Sequence, residues 1–139
     1  MSPWEIYVKE SYDIVHRAMD ELTINIDHRV EAYLVHLYAN YMDKPFINTK
    51  PVCIKLLEST SEPVTKRIPL LEEVGNECLL VHSMEWGKAR WPTETYYQEM
   101  GQTAYTTRAF IKNPPDMLYD DLAMEFSTAT KILRRCRIN

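Results

Sequence analysis

The stretch DHRVEAYLVHLYANYM, residues 27–42, decides the fold class. Val30, Leu34, Leu37 and Tyr41 stand at offsets of 4, 7 and 11, the repeat of one face of an α-helix rather than the alternation of a strand. Lys44-Pro45 closes the segment, because the residue before a proline is pushed out of the helical region.

The same period continues on both sides. Towards the N-terminus, Ser2-Pro3-Trp4-Glu5 has the form of a capping box with proline at the first helical position. Trp4, Val8, Val15, Ala18 and Leu22 follow as the buried stripe, and Thr23-Ile24-Asn25 ends the helix. Towards the C-terminus, Asn48-Thr49-Lys50-Pro51 opens a shorter helix through Glu58, and Ser59 to Pro63 is a polar connector. From Ile68 to Met84, Leu71, Val74, Cys78 and Val81 keep helical offsets, although residues 78–82 by themselves fit a short buried strand. Gly75 lies on that seam and predicts a close approach by another helix.

Trp86 to Pro92 reads as a loop. Thr93 caps a helix to Ile111 whose seam is Tyr97, Gly101, Ala104 and Ile111. Asn113-Pro114-Pro115-Asp116 opens the last helix, with Leu118, Leu122, Phe126, Ala129 and Leu133 along its apolar face. Such faces are buried only against each other, so residues 1–139 read as one all-α domain, a bundle of five to six helices.

Composition agrees with this reading and narrows the function classes. The chain has 139 residues and only three glycines, and no Asn-Gly pair, too few turn signals for an all-β domain. Its charge is −4 and its pI about 5.6, which weakens long-range attraction to nucleic acid. No apolar run approaches the ~18 residues of a membrane span, and the first residues lack a secretory layout. Cys53, Cys78 and Cys136 are far apart, with no CxxC pair, so neither a disulfide framework nor a zinc knuckle is suggested and a cytoplasmic location is expected.

Candidate chemistry is sparse. Glu-x-x-His, the di-metal signature of helical bundles, does not occur; the nearest spacings are Asp13-x-x-His16 and His28-x-x-Glu31. His16 shares a polar stripe with Lys9, Asp13 and Asp20 and is expected to face water, as is His36 beside Arg29 and Asn40. Cys78 falls on a seam and reads as a small buried apolar residue, whereas Cys136, among Lys131, Arg134, Arg135 and Arg137, reads as a frayed terminal thiol. That basic cluster suits a helix C-terminus better than a nucleic-acid face. Phosphate-cradling glycine motifs and a GxSxG elbow are missing.

The most distinctive feature is the loop in which Trp86 and Trp91 bracket Lys88 and Arg90, with Tyr96 just beyond. Tryptophan, tyrosine and arginine dominate interface hot spots because they join large apolar area to a polar handle. The residues therefore point to a non-enzymatic helical module, without cofactor or metal, that binds a protein partner or a second copy of itself through Trp86, Lys88, Arg90, Trp91 and Tyr96. The alternative is a metal- or haem-dependent enzyme, which would need His28 and Glu31 to converge with acids such as Glu72, Glu77 or Glu99.

Two segments, Leu71-Glu72-Glu73-Val74-Gly75-Asn76-Glu77-Cys78-Leu79-Leu80 and Tyr96-Tyr97-Gln98-Glu99-Met100-Gly101-Gln102-Thr103-Ala104-Tyr105, add a resemblance. They are similar to a pattern, L-x-x-V-G-D-x-x-L followed by Y-Y-x-x-M-G-x-x-A-Y, of a group of small uncharacterised bacterial helical proteins. The resemblance implies a helical fold and a bacterial source and brings no activity with it. Asn76 stands where that group usually has an acid, while Gly101 and Ala104 look like packing positions.

Overall fold

The computed structural model describes residues 1–44, 51–84 and 94–138. Among them all regular structure is helical: α1 Pro3–Leu22, α2 His28–Asp43, α3 Val52–Ser59, α4 Val64–Met84, α5 Glu94–Phe110, α6 Met117–Met124 and α7 Phe126–Ile138. The all-α reading holds, with seven helices among the described residues in place of five to six. The expected last helix is two, since Asp116 rather than Asn113 supplies the cap, accepting the Leu118 N–H at 3.2 Å, and the helix breaks at Glu125. Residues 78–82 lie inside α4 and are helical.

Local chemistry sets the other ends. Ser2 Oγ accepts the Glu5 N–H at 3.2 Å, and Asp27 Oδ1 accepts the Arg29 N–H at 2.8 Å. Helix α1 stops at Thr23, whose φ of 55° is left-handed. There the Ile24 N–H reaches the Met19 carbonyl at 3.0 Å and the Thr23 N–H reaches that of Asp20 at 3.1 Å, a Schellman closure in which glycine is the usual occupant. Helix α4 begins earlier than Ile68, its first N–H groups from Lys66 and Arg67 bonding to the Pro63 carbonyl at 2.9 Å.

Helix α4 packs against α3, α5 and α7, while α1 packs on α2 and α7, and α6 on α5. The contacts Trp4–His36, Ser11–Val35 and His16–Glu31 run in opposite directions along α1 and α2, so the two are antiparallel. Leu34, Leu71, Val74, Cys78, Leu79, Tyr105, Leu122, Phe126, Ile132 and Leu133 are at most 1% exposed and form the centre. Two expected ends of the α1 stripe differ: Trp4 and Leu22 are each 37% exposed, and Ser11 and Met19 are buried in the stripe instead. Cys136 is also a core residue and not a frayed thiol.

Gly75 and Gly101 sit at the closest helix contacts. A Cβ on Gly75 would come within 2.4 Å of the Tyr105 ring. On Gly101 it would come within 2.5 Å of the Phe126 ring and 2.9 Å of Cys78 Cβ. Each glycine is thus the hollow for a ring that belongs to another helix. The basic cluster of α7 has a structural use as well: Arg134 and Arg137 each donate at 3.1 Å to the carbonyls of His82 and Met84, the last turn of α4.

These contacts fix the sign of two substitutions. In an open helix Gly→Ala would stabilise by about 1 kcal/mol; at Gly101 the clash with Phe126 makes Gly101→Ala destabilising by about 1–3 kcal/mol. Thr23→Gly acts in the opposite sense, raising stability by about 1 kcal/mol through relief of the left-handed threonine. Urea denaturation of the two variants beside the parent measures both.

Candidate functional site

Helices α1 and α2 carry a groove on their outer face. A hollow of about 320 Å³ lies between Val8, Tyr12 and His16 of α1 and His28, Glu31, Ala32, Val35 and His36 of α2. A second, of about 440 Å³, is lined by Trp4, Glu5, Val8, Lys9, Tyr12 and His36. The two share Val8, Tyr12 and His36 and so form one groove.

Its walls are apolar and aromatic. Tyr12 is 52% exposed and stacks at a tilt on His16, ring centres 4.2 Å apart. Trp4 lies 6.5 Å from His36, whose Nδ1 is 2.9 Å from the Ala32 carbonyl, so in the neutral ring Nδ1 carries the proton and Nε2 the lone pair. At one end of the groove the Glu31 side chain is only 9% exposed. Oε1 is in direct contact with His16 Nε2, and Oε2 is 3.5 Å from Nδ1 of His28, a fully exposed ring. Ser11 Oγ, below the groove, donates to the Val35 carbonyl at 2.6 Å and pins the two helices together.

The reading of His16 as a water-facing residue is therefore corrected: it is half-buried, with its Nε2 against Glu31 across the helix pair. The signal was present in the spacing. Trp4, Val8, Tyr12 and His16 recur every fourth residue, and each step overshoots a full turn by about 40°, carrying this line from the core edge to the flank facing α2.

A second polar assembly joins α2, α4, α5 and α6. Asn76 Oδ1 accepts hydrogen bonds from the hydroxyls of Tyr33 at 2.6 Å and of Tyr105 at 2.8 Å. Tyr33 meets Tyr119 edge to face at 5.7 Å, and the Arg108 guanidinium lies 4.5 Å over the Tyr119 ring. Arg108 Nε donates to Glu72 at 2.6 Å. Burial pushes the hydroxyls of Tyr33, Tyr105 and Tyr119 above the usual phenol range, so all three remain protonated donors at neutral pH.

The acids considered for a metal centre divide between these regions. Glu31 and His28 turn towards α1, Glu72 pairs with Arg108, Glu77 pairs with Lys55 at 2.6 Å, and Glu99 is exposed on α5. Burial raises the Glu77 carboxyl, and Lys55 draws it back down. Among the described residues no group of three His, Cys, Asp or Glu side chains is set to hold a metal ion. Of the cysteines, burial pushes Cys136 up to about 12 despite its arginine neighbours and raises Cys78 as well.

Of the residues expected to bind a partner, Trp86, Lys88, Arg90 and Trp91 lie outside the described residues. Tyr96 is half-buried near the start of α5, its hydroxyl accepting the Cys53 N–H at 2.9 Å, which ties α5 to the first turn of α3. Burial and the adjacent Cys53 push its hydroxyl up to about 12.

Asn76 offers the sharpest test of the interior assembly. Asn76→Ala strands two tyrosine hydroxyls, one of them on a fully buried residue, and is expected to cost about 2–5 kcal/mol. Asn76→Asp keeps the acceptor and costs less, the residual coming from repulsion by Glu72 one turn away. Thermal and urea unfolding of both variants measure the difference.

Comparison of the chain with protein-family models, with curated proteins and with solved structures finds no match.

Proposed function

We propose that this chain is a single-domain helical bundle that works as a non-enzymatic interaction module and binds a helix of a protein partner in the α1–α2 groove. The observation that carries the reading is the continuous run of Trp4, Val8, Tyr12, Val35 and His36 along an outer face, between two antiparallel helices. From Trp4 to His16 the groove follows about 18 Å of helix axis, or a little over three turns. That length matches an amphipathic helix presenting apolar anchors at successive turns. Trp4 and Tyr12 combine apolar area with a polar edge, the make-up of interface anchors.

Trp86, Lys88, Arg90 and Trp91 belong to this proposal as a further contact, together with Tyr96 of α5. The source of the helix is a distinct protein; an adduct of twice the chain's own mass in the crosslinking below would instead assign the groove to a second copy.

A photo-crosslinking residue at position 12, introduced in cells, tests the groove. The expected result is one discrete protein adduct that disappears in a Trp4→Ala background. Binding of that purified partner should then weaken by about 2 kcal/mol in Trp4→Ala, with the helical circular dichroism unchanged because Trp4 is exposed. Adducts from positions 86 or 91 alone would move the contact to the loop. Absence of a discrete adduct from all three positions contradicts the reading.

A further inference from the structure

A buried carboxylate at the end of an apolar groove selects its occupant by charge. Glu31 is 7% exposed, and among the described residues its side-chain partners are the imidazoles of His16 and His28 rather than a lysine or arginine. A carboxylate removed from water in this way has strong residual attraction for a permanent cation. Oε1 is already covered by His16. Among the described residues Oε2 keeps only the contact of 3.5 Å to His28, beyond ordinary N–H···O geometry, and that ring is wholly exposed.

The surroundings fit a cation on an apolar stem rather than a small hydrated ion. Val8, Ala32 and Val35 wall the hollow, and the exposed Tyr12 ring offers an aromatic face to a guanidinium or ammonium. The volume of about 320 Å³ has room for a long side chain and its neighbours. We infer that Glu31 is the specificity residue of the groove, receiving an arginine or lysine side chain from an otherwise apolar face of the partner's helix. This rests on the reading of the groove as a docking surface and adds the chemistry of what docks there. Arginine is the better fit, since its planar fork can hydrogen-bond Oε2 while stacking on Tyr12.

Two pairs of probes test it by amide chemical-shift titration of the intact chain. Benzamidinium and neutral benzamide report on the carboxylate subsite. A stapled helical peptide with leucines one turn apart and one arginine, and its citrulline counterpart, report on the source of the cation. The expected result is that benzamidinium shifts the signals of Val8, Tyr12 and Val35 whereas benzamide does not. The arginine peptide should bind at least about tenfold tighter than the citrulline peptide, and Glu31→Gln should abolish both preferences. The contrast between charged and neutral probes in the parent chain holds even where Glu31→Gln weakens folding. Preference for benzamidinium without preference for arginine overturns the inference in favour of a small cationic ligand. Loss of both preferences in the parent chain overturns the subsite itself. Neither result touches the crosslinking at position 12, which reads docking without reference to Glu31.

Discussion

Two rings seated on two glycines govern the packing of this protein. Tyr105 of α5 fills the space beside Gly75 of α4, and Phe126 at the start of α7 fills the space beside Gly101 of α5 and against Cys78. Each ring enters where a side chain is missing, so α4, α5 and α7 are locked in register as well as pressed together. Aliphatic seams alone define a register loosely, because leucines and valines of similar size can exchange neighbours. A ring in a glycine hollow fits at one place along the helix. Glycine's helix penalty of about 1 kcal/mol is offset by the area that each ring buries.

The locked register is what allows polar groups inside. Tyr105 is held by its ring against Gly75 and by its hydroxyl on Asn76, one residue along the same helix, and Asn76 then takes the hydroxyl of Tyr33 from α2. Arg108, one turn beyond Tyr105, bonds Glu72 and covers Tyr119 of α6. One side of α4 thus gathers α2, α5 and α6 through directed bonds that tolerate little displacement. Its C-terminal carbonyls are meanwhile met by Arg134 and Arg137 of α7.

Helix identity was legible in the sequence because apolar spacing depends on the backbone period, which is local. The buried residues of α2, α4 and α7 follow that period, and Gly75 announced a close contact from its place on the seam. The Ser2 cap of α1 was readable for the same reason, whereas the cap expected at Asn113 is supplied by Asp116. What stayed hidden depended on the partner helix. His16 has polar neighbours along its own chain, and only the antiparallel placement of α2 brings Glu31 to it. Asn76 has carboxylates on both sides and no local mark of a tyrosine acceptor. The arginines of α7 suit the end of their own helix, yet two of them serve the end of α4. The break at Glu125 has no proline or glycine to signal it.

The candidate site follows from the same division between locked and open faces. Helix α1 turns Val15, Ala18 and Met19 inward, and its line from Trp4 to His16 winds away from that seam onto the flank next to α2. No described helix covers this flank. Two aromatic side chains, three of the chain's four histidines and a buried carboxylate are gathered there. The interior acids have lysine or arginine partners: Glu72 has Arg108, and Glu77 has Lys55. Glu31, whose side chain is more buried than that of Glu72, has histidines in place of a permanent cation among the described residues. Stability alone would be served as well by a neutral residue at this position, since a buried carboxylate without a fixed counter-charge costs desolvation. On the proposed reading the carboxylate makes physical sense, because a cation would arrive with the partner, and that is the reason for assigning specificity to Glu31 and apolar affinity to Trp4, Val8 and Tyr12.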